Sequence, residues 1–171
     1  MLGVPTLVGT PNAETPTGFM SDYEFITFWQ IDAPLDAVWN VIENADAWPE
    51  WWKGMVSVER LDDGDDNGVG SIRRTVWKSA LPYKLRFDSE IVRIERLKLI
   101  EARAFGELNG NGLWQFESLG PDKTRIQYDW RVKTTKAWMN ALAPVARPFF
   151  RWNHDIIMDW GEEGLKKRLA K

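Results

Sequence analysis

Residues 125–133 read R-I-Q-Y-D-W-R-V-K, and this stretch decides the fold class. Ile126, Tyr128, Trp130 and Val132 alternate with Arg125, Gln127, Asp129, Arg131 and Lys133. A period of two is the mark of a half-buried strand, because successive side chains leave a sheet on opposite faces. The chain therefore builds a sheet with one apolar, aromatic face and one charged face.

Working outward, the run Tyr23–Ile31 is β-branched and aromatic, as a strand requires. Asp32-Ala-Pro34 opens a helix in which Val38, Trp39 and Ile42 recur at helical spacing. A second short helix falls at Trp48–Trp52, started by Pro49 and ended by Gly54. Strands follow at Met55–Leu61, Ser71–Lys78, from Tyr83 onward, and at Ile100–Gly106. The alternation of the Tyr83 strand changes phase near Ser89–Ile91, which predicts a bulge. Asn109-Gly-Asn-Gly112 reads as a turn before a strand that carries Trp114 and Phe116 inward. From Thr135, a candidate N-cap, the pattern is helical; Pro144 and Pro148 should split it, which places the main helix at Pro148–Leu169. Short connections make the strands antiparallel. The expectation is an α+β fold: about seven curved antiparallel strands, two short helices after the first strand, and a long C-terminal helix on the apolar face.

Composition narrows the function. Eleven tryptophans stand against no cysteine and one histidine in 171 residues. Tryptophan suits an interior that grips apolar or aromatic molecules by their faces, although it also simply fills cores. Lack of Cys and His removes thiol nucleophiles and most zinc and His-centred schemes, so no metal or cofactor is expected. Net charge is −3, without a basic stripe, which argues against nucleic acid as a partner. No apolar run reaches the roughly 18 residues that span a bilayer, so stable membrane insertion is not expected, and the cytoplasm is the default. Residues 1–20 are rich in Gly, Pro and Thr and read as a flexible tail, leaving 21–171 as one domain.

The segment DAPLDAVWNVIENADAWPEWW (32–52), the GVGS strand entry (68–71), Gly112-Leu-Trp114 and the tail WNHDIIMDWGEEGLKKRL (152–169) resemble the Bet v 1-like, START-related (SRPBCC) superfamily. Within it the resemblance is to polyketide cyclase/dehydrase-type families. It implies a helix-grip fold around a deep apolar cavity, with uses from lipid carriage to aromatic ring cyclisation.

Alternation nominates the residues facing that cavity. They are Arg73, Thr75 and Trp77; Tyr83, Leu85 and Phe87; Ala102 and Ala104; Trp114 and Phe116; and Tyr128 and Trp130. The small Ala102, Ala104, Gly106 and Gly112 suggest room for a guest. On the helix, the stripe Phe149, Trp152, Ile156 and Trp160 is expected to face the sheet, with Asn153 at its edge and His154 turned away. Arg73, Tyr128 and His154 are the candidates for chemistry. An inward Arg must be paired or must meet a ligand oxygen, so a ligand clamp, a rim salt bridge and an inverted register that turns Arg74 inward all stand open. Inward Tyr83 and Tyr128 are either carbonyl donors or satisfied core phenols. Asp155 beside His154 invites an acid/base pair, but helical neighbours diverge by about 100°. Asp63–Gly68 imitates half a calcium loop, yet its twelfth position is Arg74, which favours a plain hairpin loop.

The sequence thus supports a binder of a small hydrophobic, lipid-like or aromatic polyketide-like molecule. In an enzymatic version it is a metal-independent cyclase or dehydratase. A non-catalytic carrier and an interaction module with a filled core are the alternatives.

Overall fold

The structure, a computed structural model, describes residues 22–80, 82–135 and 143–170. The expected tail at 1–20 and the helical reading of 136–142 lie outside the described residues. Seven antiparallel strands form one curved sheet in the order β1-β7-β6-β5-β4-β3-β2. They are β1 (Asp22–Ile31), β2 (Met55–Asp62), β3 (Ile72–Lys78), β4 (Lys84–Glu95), β5 (Leu99–Gly106), β6 (Leu108–Gly120) and β7 (Lys123–Thr134). Between the edge strands β1 and β2 run α1 (Leu35–Glu43), a 3-10 turn (Ala45–Ala47) and α2 (Trp48–Trp51). The long helix α3 (Ala143–Leu169) closes the concave face. No helix among the described residues is long and apolar enough to cross a membrane.

Register confirms the face assignments. Thr75 pairs with Phe87, Ala102 with Gly112, and Trp114 with Tyr128. The phase change in β4 is a bulge: Ile91 faces Ala102 and Arg93 faces Glu101, leaving Val92 without a partner on β5. The expected Asn109–Gly112 turn is not one. β6 runs from Leu108 straight through it, and the chain reverses at Gly106, where φ is +110°. These glycines serve close approach instead. A Cβ on Gly110 would sit 2.0 Å from the Arg131 carbonyl oxygen, and one on Gly112 would sit 2.7 Å from the Tyr128 hydroxyl. The Thr135 hydroxyl donates to the Gly106 and Glu107 carbonyls, 2.8 and 3.1 Å away, and ties down the β5–β6 corner.

α1 buries Val38, Trp39 and Ile42 against the sheet. α2 is short, but its tryptophans are the keystone. Trp52 is 2% exposed and donates its indole N–H to the Ile157 carbonyl of α3 at 2.8 Å. Its ring centroid lies 5.3–6.1 Å from those of Trp29, Trp48, Trp77 and Trp114, with Trp51 stacked beside it at 5.4 Å. Gly161 and Gly164 of α3 make this approach possible, since Cβ atoms there would collide with the Trp52 ring and the Trp51 carbonyl.

The core falls into two clusters. The larger joins Trp29, Ile31, Val38, Trp39, Trp52, Phe116, Ile126 and Leu165. The smaller joins Tyr23, Phe25, Leu108 and Val132, backed by Phe87, Trp130 and Phe150. Space remains inside the grip.

Candidate functional site

That space has two lobes. The first, about 150 Å³, is lined by residues of both clusters: Phe25, Leu108 and Val132 on one side, Trp52 and Trp114 on the other. Its roof is α3, through Phe150, Asn153, His154, Ile157 and Met158. The second, about 220 Å³, lies under α1 and the β2–β3 loop, against Ala102, Ala104, Ser71, Arg73 and Thr75. Trp48, Trp77, Phe87, Trp114, Tyr128 and Trp130 line both and form the wall between them. Of the small inward set that suggested room for a guest, Ala102 and Ala104 line the second lobe, while Gly106 and Gly112 line neither.

Of the nominated residues, Trp77, Tyr83, Leu85, Phe87, Trp114, Tyr128, Trp130 and Asn153 line the first lobe. Arg73, Thr75, Ala102 and Ala104 line the second. Phe116 lies elsewhere: it packs on Trp39 at 5.0 Å, deep in the larger cluster. The helix stripe needs correction. Phe149 and Trp152 are 58% and 50% exposed, Ile156 lines neither lobe, and Trp160 is capped from outside by the Lys53 ammonium at 4.3 Å. The inward face is Phe150, Asn153, His154, Ile157, Met158, Gly161 and Leu165, rotated by roughly one residue, or ~100°, from the expected stripe. Tyr23, Phe25, Leu108, Val132, Phe150 and Met158 are lining residues that sequence reasoning did not name.

Arg73 points inward, as the register predicts, and Arg74 outward, where Asp88 grips it by two bonds of 2.8 and 2.9 Å. Arg73 meets Asp46 rather than an empty cavity. Its Nε lies 2.9 Å from Asp46 Oδ1, and its Nη1 bonds Ser71 Oγ at 3.1 Å. Arg60 pairs with the other Asp46 oxygen. Burial pushes the Asp46 carboxyl up, but hydrogen bonds from Arg60 and Arg73 outweigh it and leave the group below its usual range. The rim salt bridge is thus present.

Tyr128 is stacked on Trp114 at 4.1 Å. Burial pushes its phenol far above the usual value, so it stays a protonated donor. Thr75 is satisfied: its hydroxyl donates to the Phe87 carbonyl at 3.3 Å and accepts the Trp77 indole N–H at 3.2 Å. In the loop, Asp65 Oδ1 accepts the Asn67 and Val69 N–H groups, both at 2.9 Å, which organises the hairpin from within.

His154 reverses the expectation that it turns away. Its ring stacks on Phe25 at 4.2 Å and 12°, and its side chain is 12% exposed. Nδ1 lies 3.4 Å from Asp155 Oδ1, a long contact that the adjacent position does permit. Among the described residues neither the buried Nε2 nor the buried Oδ1 of Asn153 meets a hydrogen-bond partner. Burial lowers the imidazole pKa more than Asp155 restores it, and Arg151 lowers it further. The unfolded chain, near 6.5, then takes up a proton before the folded one does. Stability from this group is full above pH 6.5 and is lost as pH falls through the folded value. Urea melts between pH 7.5 and 5 should show that loss in the wild type, and His154→Phe should flatten it. An unchanged slope in the variant would assign it to other groups.

Residues 31–155 match the family described as polyketide cyclase / dehydrase and lipid transport. Among solved structures, the chain is similar to the Zhui aromatase/cyclase from Streptomyces sp. R1128, with a TM-score of 0.72 and 15% identity over 88% of this chain and 94% of that one. A START superfamily protein from Mycobacterium smegmatis gives 0.71 at 15% identity, covering 86% and 97%. Norcoclaurine synthase from Thalictrum flavum, in complex with dopamine and hydroxybenzaldehyde, gives 0.60 at 13% identity, covering 98% and 97%. Such identities carry the fold. None of the curated proteins matches this chain.

Proposed function

We propose, from the premise that this chain belongs to the polyketide cyclase/dehydrase and lipid transport family, that it binds a small, largely apolar aromatic molecule across its two lobes. The observation that carries this reading is the wall shared by the lobes, built almost wholly of aromatic faces. A cavity of about 150 Å³ holds a benzene ring, so the two lobes suit a compact two-ring ligand or a ring with a short alkyl arm. One of the similar structures is in complex with the small aromatic compounds dopamine and hydroxybenzaldehyde, and another is an aromatase/cyclase, which supports a ligand of this class.

Tyr128 supplies the finer reading. A buried phenol held protonated at the junction of the lobes is a ready hydrogen-bond donor to a ligand carbonyl. That placement favours a cyclase or dehydratase over a plain carrier, with positioning by the walls doing most of the acceleration. Arg73 is then a rim brace that holds the 3-10 turn through Asp46, rather than a ligand clamp.

Titration calorimetry with 2-methoxynaphthalene tests the cavity. Saturable one-to-one binding is expected, and Ala104→Phe should weaken it tenfold or more by filling the second lobe. Ala104 is 2% exposed and faces that space directly. Binding that survives Ala104→Phe unchanged, in a variant that melts normally, would move the ligand out of this lobe.

A further inference from the structure

We propose that the first lobe selects ligands carrying a hydroxyl on an apolar ring, with the ligand O–H donated to Nε2 of His154. This rests on the reading of the lobes as a binding cavity and adds a polar specificity to it.

The argument starts from the tautomer. The carboxylate of Asp155 can only accept, so its 3.4 Å contact with Nδ1 favours the tautomer that carries the ring proton there. Nε2 is left with a lone pair. That atom is buried and meets no donor among the described residues, yet its residue lines the first lobe. The neighbouring Asn153 presents a second buried acceptor, Oδ1, in the same condition and on the same lobe. Buried polar atoms without partners are uncommon, because each forfeits the hydrogen bond it had in water. Two acceptors side by side on one roof, facing an otherwise largely apolar chamber, are the complement of a donor. A carboxylate ligand satisfies neither of these two atoms, since it brings acceptors to acceptors. An amine is less suited, because Arg151 on the same helix already disfavours positive charge at His154. A neutral hydroxyl meets both demands.

The stacked geometry keeps the acceptor in place. The imidazole lies parallel to the Phe25 ring of β1 at 4.2 Å, and the Arg151 guanidinium stands 6.0 Å from the other partner of that stack. Rotation of the imidazole would give up the stacking and the Asp155 contact together. His154 is therefore a specificity residue held ready before the ligand arrives. Asn153 offers a place for a second hydroxyl on the same ring.

Calorimetry with 2-naphthol and its methyl ether, 2-methoxynaphthalene, separates this proposal from the reading beneath it. Both probes share the ring system, and only the first can donate. In the wild type at pH 8, 2-naphthol is expected to bind about tenfold tighter. His154→Phe, which keeps a ring on Phe25, should bring the ratio of the two affinities near one, whatever it does to both together. Equal affinities in the wild type, or a ratio that persists in His154→Phe, would overturn the proposal while the cavity stands. Failure of both probes to bind would overturn the cavity reading and this one with it. A third arm needs no variant: lowering pH until the imidazole is protonated removes the lone pair and should erase the preference of the wild type. The groups around the imidazole are Asp155 and Arg151 on α3, and the phenols of Tyr23, Tyr83 and Tyr128 in the lobe. Those phenols ordinarily ionise near pH 10, outside the range swept. A preference that survives at a pH where the imidazole proton shifts in NMR show His154 protonated would overturn the assignment to His154.

Discussion

Trp52→Ala is expected to cost about 3–5 kcal/mol of folding stability, the largest loss of any single truncation in this chain. Trp52 is 2% exposed and touches five other tryptophans, so its removal leaves a void that rigid rings cannot close. It also frees the Ile157 carbonyl in the middle of α3 from its 2.8 Å indole bond. A chain of this size has roughly 5–15 kcal/mol to lose, so about a fifth or more would go. Urea unfolding with an unchanged m-value is the measurement. Trp52→Phe separates the two causes, keeping much of the ring and losing the N–H donor, and should cost about 1–3 kcal/mol. A loss below 1 kcal/mol for Trp52→Ala would mean that α2 is a passenger and the clamp on α3 lies elsewhere.

The sheet was legible because its signal is local and redundant. β7 alternates without a fault from Arg125 to Lys133, and its pairing with β6 and β1 repeats the same inward set on both neighbours. Even the β4 bulge announced itself, since one extra residue must flip the phase of everything after it. Asn109–Gly112 misled for a physical reason. Glycine is the strongest turn residue, but it also lets one backbone or ring approach another, and only the neighbouring strand tells which use applies. Here Arg131 and Tyr128, about twenty residues downstream, occupy the space where the Cβ atoms would be.

The helix face was harder. α3 carries two aromatic stripes, Phe149–Trp152–Trp160 and Phe150–Ile157–Leu165, and hydrophobic periodicity fits both. What separates them is size rather than polarity. Gly161 and Gly164 mark the side on which α2 presses, and the inward stripe is the one that contains them. Placing the wrong stripe inward also turned His154 outward, so a single error of about one residue hid the polar roof of the cavity. Arg73 shows the converse limit. Its inward direction followed from alternation, whereas its partner Asp46 sits 27 residues earlier in a turn whose position only packing reveals.

Gly164→Ala should destabilise the protein by about 2 kcal/mol or more, against the sign of its helix propensity. In a helix interior, alanine in place of glycine normally gains about 1 kcal/mol, by restricting the unfolded chain. At Gly164 the new methyl carbon would stand 2.0 Å from the Trp51 carbonyl oxygen and 3.0 Å from its carbon. Those are backbone atoms of α2, which cannot rotate away as a side chain tip can. The methyl group must push α2 from α3, loosening the Trp51–Trp52 stack and the Trp52–Ile157 bond together. Overpacking of this kind costs about 1–3 kcal/mol where side chains yield, and a backbone obstacle belongs at the top of that range or above it. Exposed Glu163→Ala, one residue away, is the control and should change stability by no more than about 0.5 kcal/mol, the worth of its i,i+4 pair with Lys167. A melting temperature that rises in Gly164→Ala would show that propensity wins, and that α2 and α3 pack with slack between them.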